Sequence, residues 1–276
     1  MPREQKPSNG GSASFRTGTP CERRWLPNAG AGLRLTRGLV QLLLPRCCVV
    51  CEARLGDDTD DLSCGTCWSR VALLPSPHCD RCGYPVVDGA CPWCALLPPY
   101  VRAVRSWCWV PEGVGGQIVH AFKYDGWHAL AGGMGARMSR LSWPADVVAE
   151  RTALVPVPLS IRRERERGFN QSERLAAAMG KSLALDVWRD VLARTHFTAS
   201  QTRLTPEERL RNVSGAFRVT GEPARLRGAH LVLVDDVVTT AATLNACAAA
   251  LFAGGTRIIS YVTFGRARLP GDASPP

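Results

Sequence analysis

The stretch at residues 231–244 constrains the fold of this chain more than any other part of the sequence. It runs LVLVDDVVTTAATL, so an apolar segment leads directly into two carboxylates, a hydroxyl-rich turn and an alanine-rich segment. The apolar segment is too short for a helix and is typical of a buried parallel strand. Carboxylates at the carboxyl end of such a strand lie at the crevice where open α/β sheets bind ligands. The stretch therefore predicts an α/β fold with a ligand site at this strand end.

The turn after the two carboxylates predicts a phosphate site. Free backbone N–H groups and the helix dipole at a helix N-terminus both favour a phosphate. Carboxylates for sugar hydroxyls or a metal, beside amides and hydroxyls for a phosphate, suit a phosphorylated ribose. The alternative interpretation is a strand, an acidic N-cap and a helix without a ligand, which is common in α/β proteins.

Four cysteine pairs, each with a two-residue gap, occur between residues 48 and 94. They are Cys48 and Cys51, Cys64 and Cys67, Cys79 and Cys82, and Cys91 and Cys94. This gap lets two thiolates converge on one tetrahedral ion, so the pairs predict two Cys₄ zinc sites rather than disulfides. Sequential and interleaved pairings are both open, and the short connections favour the sequential one. Because each set is complete with four sulfurs, the zinc is expected to be structural and to supply folding energy.

The charge balance favours an anionic partner. The chain carries a formal net charge of +10, and its pI is near 9.3. Nucleic acid, phosphorylated small molecules and anionic lipid are all compatible with this charge, which does not choose among them. The zinc module is likewise compatible with nucleic-acid binding or with a purely structural role.

No membrane insertion is expected from the sequence. No apolar run approaches the ~20 residues of a membrane span, and the first residues lack the long apolar stretch of a secretory signal. Cysteines arranged as metal ligands suit a reducing compartment. The sequence therefore predicts a cytoplasmic protein.

Composition divides the chain into four regions. Residues 1–37 are rich in Gly, Ser, Pro, Arg and Thr, and they are expected to be disordered because they bury too little apolar surface. They are interpreted either as a basic tail that touches nucleic acid or as the product of an upstream start codon. A double zinc-binding module is predicted at 38–98, an α/β domain at 99–268 and a second disordered tail at 269–276.

Local patterns predict the elements of the α/β domain. Strands are expected at 100–110, 154–159, 217–219 and 257–264, and helices at 115–124, 127–141, 170–179 and 240–253. Further helices are expected at 39–44 and from the capping box at Thr205. The mixed charges at 162–167, between a strand and the N-cap at Asn170, indicate either a solvated face or an anion site.

Several ordered motifs resemble the ComF family, which is associated with late competence and DNA uptake. Besides the cysteine pairs, they are Phe122-Lys123-Tyr124, Val155-Pro156-Val157-Pro158-Leu159, Arg167-Gly168-Phe169-Asn170-Gln171, Arg194-Thr195 with Gln201, Arg209-Leu210-Arg211-Asn212, and Val234-Asp235-Asp236-Val237 with Thr239-Thr240. The resemblance spans about residues 39–267. It implies the type I phosphoribosyltransferase fold, a parallel sheet flanked by helices.

The resemblance also implies a site for phosphoribosyl pyrophosphate (PRPP). Asp235 and Asp236 would hold the ribose 2- and 3-hydroxyls, directly or through Mg²⁺. The loop that would wrap the 5-phosphate consists of Thr239, Thr240, Ala241, Ala242 and Thr243. The candidates for pyrophosphate or nucleic acid are Lys123, Arg162, Arg163, Arg165 and Arg167. Ala241 departs from the family, which usually has glycine there. Glycine permits positive φ and a close approach of the ligand, and alanine restricts both.

Three functions follow as hypotheses. The first is a phosphoribosyltransferase-like protein that binds PRPP and transfers a pentosyl group to an unknown acceptor. It would act with single-stranded DNA during uptake, beside machinery such as a helicase. The second is a metabolic phosphoribosyltransferase of nucleotide salvage. The third is a non-catalytic adaptor that binds nucleic acid and uses the fold as a scaffold. The carboxylate pair supports ligand binding, whereas Ala241 and the lack of a recognisable acceptor pocket weaken the second hypothesis.

Overall fold

The computed structural model describes residues 46–56, 61–85, 91–195 and 215–268. The chain divides into residues 1–46 and 47–276, and every element named below belongs to the second unit. The two predicted disordered tails, the helix predicted at 39–44 and the helix predicted from Thr205 lie outside the described residues.

Helices and strands alternate along much of the chain after residue 100. The strands are β1 (Val101–Val110), β2 (Arg151–Pro156), β3 (Asp186–Val187), β4 (Leu192–Arg194), β5 (Phe217–Val219), β6 (His230–Val238) and β7 (Ile258–Ala267). The helices are α1 (Gly65–Ser69), α2 (Gly113–Tyr124), α3 (Leu130–Met138), α4 (Ala145–Glu150), α5 (Ile161–Arg167), α6 (Gln171–Leu183), α7 (Pro223–Leu226) and α8 (Ala242–Ala253), with a 3₁₀ turn at Pro92–Leu96. In the part of the chain that the structure describes, no helix is long and apolar enough to cross a membrane.

Five parallel strands form the central sheet in the order β1-β7-β6-β2-β3, and β4 and β5 form a separate antiparallel pair. Parallel sheets carry helices on both faces, which buries both faces of their central strands. On β6, Leu231 and Leu233 lie in one hydrophobic cluster, whereas Val232 and Val234 lie in the other. The predicted α/β class is confirmed, and burial on both faces explains the uninterrupted apolar run before Asp235.

The cysteine-rich module packs directly against the sheet. Tyr84, Trp93 and Leu97 belong to the same hydrophobic cluster as Leu231 on β6. Trp68 in α1 belongs to the cluster on the other face. The module is therefore held by apolar contacts with the sheet as well as by its own cysteines. The domain division predicted at residue 98 stays a prediction.

Several predicted boundaries differ from the structure. The helix predicted at 170–179 spans Gln171–Leu183, and the strand predicted at 257–264 spans Ile258–Ala267. The strand predicted at 154–159 spans Arg151–Pro156, because Pro156 and Pro158 cannot donate to a strand ladder and end it early. The helix predicted at 127–141 spans only Leu130–Met138.

The charged run at 162–167 lies in helix α5, which the sequence patterns did not predict. The Ser160 hydroxyl caps this helix by accepting a hydrogen bond from the Arg163 N–H, and Arg162 pairs with Glu166 one turn later at 2.9 Å. Such pairs four residues apart stabilise a helix. No residue of α5 is buried, so it lacks the apolar periodicity from which helices are predicted.

Candidate functional site

Asp235 and Asp236 lie near the end of β6. Asp235 Oδ1 accepts hydrogen bonds from Ser172 Oγ and from the Asp236 backbone N–H, both at 2.9 Å. Asp236 is 6% exposed, and its Oδ1 lies 2.9 Å from Nζ of Lys123 at the end of α2. The structure thus brings three predicted site residues together and adds Ser172, from the first turn of α6.

The environment of Asp235 disfavours its ionised form. Burial, together with the charge of Asp236, raises the pKa of Asp235 to about 7, against the opposing effects of Ser172 and Lys123. A carboxyl group whose pKa rises on folding stabilises the fold at low pH. It loses that contribution as the pH rises from its ordinary pKa of 3.8 to about 7.

We expect Asp235→Asn to remove this pH dependence, because asparagine cannot ionise. The variant should therefore gain free energy of unfolding relative to wild type as the pH rises from about 5 to about 8. Urea denaturation at the two pH values measures the difference. If the substitution changes the free energy of unfolding equally at both pH values, the raised pKa is wrong.

The turn between β6 and α8 keeps a glycine-like backbone although residue 241 is alanine. Ala241 has φ 59° and ψ 6°, in the left-handed region, and is 4% exposed. This conformation costs an L-residue roughly 1–2 kcal/mol, so the surrounding structure must hold it. The Ala241 side chain cannot cap α8, and the four remaining predicted loop residues, Thr239, Thr240, Ala242 and Thr243, are exposed. Uncapped N–H groups of the first helical turn and threonine hydroxyls therefore share one open turn.

We expect Ala241→Gly to raise the free energy of unfolding by about 0.5–1 kcal/mol. Glycine adopts positive φ without a clash of Cβ, while its greater freedom in the unfolded chain offsets part of the gain. The matched control is Ala242→Gly, at the first residue of α8, where the right-handed backbone favours alanine. Urea denaturation of both variants tests the difference, and a destabilised Ala241→Gly protein would contradict the left-handed assignment.

The predicted cations occupy different places around the strand end. Lys123 contacts Asp236, whereas within the described residues the other predicted cations contact neither carboxylate. The exposed residues of α5 include three of these, Arg162, Arg163 and Arg165. Burial lowers the pKa of Arg194 at the end of β4, the charge of Arg163 adds to this effect, and the charge of Asp235 opposes it. Arg194, which lies in one of the sequence motifs but was not predicted as a site residue, is therefore within electrostatic reach of Asp235.

Tyr124 and Arg167 form an aromatic and basic surface at the same end of the sheet. Tyr124 is 63% exposed, and the Arg167 guanidinium carbon lies 5.3 Å from the centre of its ring. Arg167 also donates a hydrogen bond to Gln171 Oε1 at 3.0 Å, which fixes its position relative to α6. The His120 ring centre lies 5.1 Å from that of Tyr124. We call Tyr124, Arg167 and His120 the aromatic surface.

The eight paired cysteines converge in two sets, and the pairing is sequential. Within each set the four ligand sulfurs lie within 4.8 Å of one another. The first set is Cys48, Cys51, Cys64 and Cys67, and the second is Cys79, Cys82, Cys91 and Cys94. The interleaved alternative is thereby excluded.

The sulfur separations suit zinc. A tetrahedral ion with Zn–S bonds of ~2.3 Å places its sulfurs about 3.8 Å apart. The separations in the structure are 3.7 Å for Cys48 to Cys67, 3.6 Å for Cys51 to Cys64, 3.5 Å for Cys79 to Cys94 and 3.1 Å for Cys82 to Cys91. Two Cys₄ sites that match structural zinc are therefore present.

Backbone N–H groups stabilise one thiolate in each set. Burial acts to raise the pKa of Cys48, but N–H groups including those of Cys51 and Cys64 outweigh it and lower the pKa to about 6. The same opposition, with the N–H of Cys82 prominent, lowers the pKa of Cys79 to about 7. Because zinc binds the thiolate, N–H groups that stabilise these two thiolates also favour metal binding.

Known proteins resemble both the cysteine-rich module and most of the chain. Residues 39–97 match the double zinc ribbon domain. The competence protein ComFC of Bacillus subtilis is 25% identical over 228 residues, which cover 75% of this chain and 89% of that protein. The DNA utilization protein YhgH of Escherichia coli K12 is 30% identical over 228 residues, which cover 79% of this chain and 96% of that protein. The chain belongs to the ComF family. Competence protein F of Haemophilus influenzae is a further relative of this ComF chain, 31% identical over 115 residues that cover 39% of this chain and 50% of that protein.

Solved structures with a partial likeness to this ComF chain include two proteins. Hypoxanthine phosphoribosyltransferase from Trypanosoma cruzi is 18% identical and covers 55% of this chain and 75% of its own, with a TM-score of 0.32. TT1426 from Thermus thermophilus is 14% identical and covers 52% of this chain and 86% of its own, with a TM-score of 0.28. These overlaps are too slight to transfer individual residues. The parallel sheet flanked by helices, as predicted for a phosphoribosyltransferase-like fold, follows from the strand order of the chain itself.

Proposed function

We propose that this ComF protein binds PRPP with Mg²⁺ at the carboxyl end of the central sheet. The observation that carries the proposal is the left-handed backbone of Ala241, between the carboxylates and helix α8. A turn that keeps such a conformation at an energetic cost indicates that its shape has a function. The exposed threonines and the helix N-terminus beside it suit a 5-phosphate.

The carboxylate pair supplies the oxygen atoms for the sugar. Asp235 and Asp236 would accept hydrogen bonds from the ribose hydroxyls, and carboxylate oxygens are also the ligands that Mg²⁺ prefers. Bound Mg²⁺ would neutralise negative charge on the pyrophosphate. Lys123, 2.9 Å from an Asp236 oxygen, is our candidate for a cation that exchanges the carboxylate for a pyrophosphate oxygen.

The reaction we propose is transfer of the 5-phosphoribosyl group. The bond between C1 and the pyrophosphate oxygen breaks with its electron pair on that oxygen. An acceptor nitrogen bonds to C1 and releases its proton. Negative charge grows on the leaving pyrophosphate, where fixed cations stabilise it most. Arg163 and Arg194, whose charges interact near Asp235, join Lys123 as candidates for this role.

Product analysis tests the transfer step. The protein would be incubated with PRPP, Mg²⁺ and a panel of nucleobases and single-stranded DNA, and pyrophosphate release would be measured. Release that depends on single-stranded DNA supports our proposal, whereas release with a free nucleobase alone favours nucleotide salvage. If PRPP binds and no acceptor gives pyrophosphate, the transfer step is wrong and the adaptor hypothesis is favoured.

We further propose that the protein acts with single-stranded DNA in the cytoplasm, beside uptake machinery such as a helicase. The names of the relatives, DNA utilization protein and competence protein, support a DNA-related role. The aromatic surface adds a physical reason, because unpaired bases stack on exposed rings beside guanidinium groups. The net charge of +10 favours contacts with phosphates.

We expect Tyr124→Ala to weaken binding of single-stranded DNA by about 1–3 kcal/mol, because it removes a stacking ring. Tyr124→Phe keeps the ring and is the matched control. Fluorescence anisotropy with a labelled oligonucleotide measures the affinity, which should also fall steeply as salt is raised. If Tyr124→Ala and wild type bind single-stranded DNA with equal affinity, the aromatic surface is not part of the DNA site. Binding that does not depend on salt would contradict contacts with phosphates.

A further inference from the structure

Arg266 is a buried cation near the end of β7. Its side chain is fully buried, with 0% of the residue exposed. Within the described residues, none of its guanidinium nitrogens, Nε, Nη1 and Nη2, has a hydrogen-bond partner. A buried charge without a partner strongly destabilises a fold, so a counter-charge is expected beside it.

The second cysteine set provides the neighbours of Arg266. The guanidinium carbon lies 4.6 Å from the centre of the Trp93 ring and 5.7 Å from that of Tyr84. Both residues lie between Cys79 and Leu97 in the sequence, the part around the second cysteine set that we call the second ribbon.

An arginine side chain keeps its charge at neutral pH. Trp93 lies between Cys91 and Cys94 in the sequence, and Tyr84 and Trp93 share a hydrophobic cluster with Cys82, so the guanidinium lies among the residues that carry the second cysteine set.

Zinc binding gives the second cysteine set a negative charge, which can balance the positive charge of Arg266. Zinc binds cysteine as the thiolate and displaces its proton. Four thiolates around one divalent ion leave a net double negative charge. The charge is spread over the four sulfurs, so a cation that touches the set is attracted without a directed hydrogen bond.

We propose that Arg266 is the counter-charge of the second zinc centre, so that metal in this ribbon stabilises the end of β7 and the turn that contains Ala241. The counter-charge role does not depend on whether the turn binds PRPP. It makes zinc a stabiliser of the sheet as well as of the ribbon.

Three features of the fold connect the second ribbon to the turn. Arg266 is the register partner of Val238, the last residue of β6 before the turn. Asn245 in α8 donates a hydrogen bond from Nδ2 to the Leu96 carbonyl of the ribbon at 2.7 Å. Ala241 lies in the same hydrophobic cluster as the ribbon tryptophan. A structural change at the second zinc site can therefore alter the turn through these residues.

Zinc release from three variants of the full chain tests the proposal. We expect Arg266→Met to release one of its two zinc ions to a chromogenic chelator faster than wild type, because loss of a residue that supports metal ligands lowers metal affinity about 10- to 100-fold. The other ion, in the first set, is the internal reference. Arg266→Lys keeps the charge and should retain both ions. Arg257→Met removes an exposed arginine paired with Glu150 and should match wild type.

Two further measurements separate a charge effect from a general loss of packing. Chelation should lower the midpoint of thermal unfolding less in Arg266→Met than in wild type. Only the wild type has a buried positive charge that loses its counter-charge when zinc is removed. Zinc removal from wild type should also speed hydrogen exchange at residues 238–246. If Arg266→Met releases both ions at the wild-type rate, Arg266 is not the counter-charge of the second zinc centre. The same follows if chelation lowers the midpoint of thermal unfolding equally in the two proteins. Unchanged exchange at 238–246 would overturn the link to the turn. If Arg266→Met does not fold, Arg266→Gln replaces it, and zinc retention equal to that of Arg266→Lys overturns the proposal.

Discussion

Replacing Cys82 with serine is expected to lower the free energy of unfolding by about 3–5 kcal/mol, a large part of the stability of a typical domain. Cys82 is 0% exposed and is one of the four sulfur ligands of the second set. Its loss weakens a zinc site that supplies folding energy to the ribbon. It also removes negative charge from the surroundings of Arg266. Thermal unfolding followed by circular dichroism should show a midpoint about 10 °C lower.

Cys108→Ala is the matched control for this prediction. Cys108 is also 0% exposed, but it lies on β1, outside both cysteine sets, and donates a hydrogen bond to the Phe264 carbonyl at 3.5 Å. Its replacement leaves a small cavity and should cost about 1–2 kcal/mol. Metal analysis should find two zinc ions in the control and one in Cys82→Ser, as the two sets imply. A Cys82→Ser protein with both ions and the midpoint of the control would show that the second set is not a zinc site.

The double substitution Asp235→Asn and Asp236→Asn is expected to weaken PRPP binding by at least about 100-fold. Each carboxylate would give a charge-assisted hydrogen bond worth roughly 1.5–3 kcal/mol, and both also contribute the charge that attracts Mg²⁺. Asparagine keeps the shape of the side chain and removes the charge. Calorimetric titration of PRPP into the variant in the presence of Mg²⁺ measures the loss.

Asp186→Asn is the control for the double variant, because Asp186 is an exposed carboxylate on β3 of the same sheet. It should bind PRPP as tightly as wild type. The thermal stability of the double variant must be measured as well, since Asp236→Asn also breaks the ion pair with Lys123. A stable double variant with wild-type affinity would mean that the carboxylates are not the ribose site.

The sequence was sufficient for features whose cause is local. A central parallel strand is apolar at every position, so residues 231–234 identify β6 without knowledge of the rest of the chain. Tetrahedral thiolate ligation requires close cysteine pairs, so the spacing alone predicted two sets. The short connections then favoured the pairing that the structure has.

Features that depend on contacts between distant segments were not predictable. Ser172 and Asp235 are 63 residues apart, and no local pattern pairs a hydroxyl in a helix with a carboxylate on a strand. Arg266 would be expected at the surface from its residue type, and only the packing of the second ribbon makes it a buried residue. Ala241 shows the same limit, because its tertiary surroundings impose a φ of 59° that its residue type disfavours.

The central claim is that the turn after Asp235 and Asp236 binds PRPP, a ribose with a 5-phosphate and a pyrophosphate at C1. Isothermal titration of PRPP into the wild-type protein, with Mg²⁺ present and both zinc sites filled, tests it most directly. We predict saturable heat with one PRPP per chain, and a much weaker response when ribose replaces PRPP. The absence of saturable heat from a folded protein that holds both zinc ions would contradict the claim.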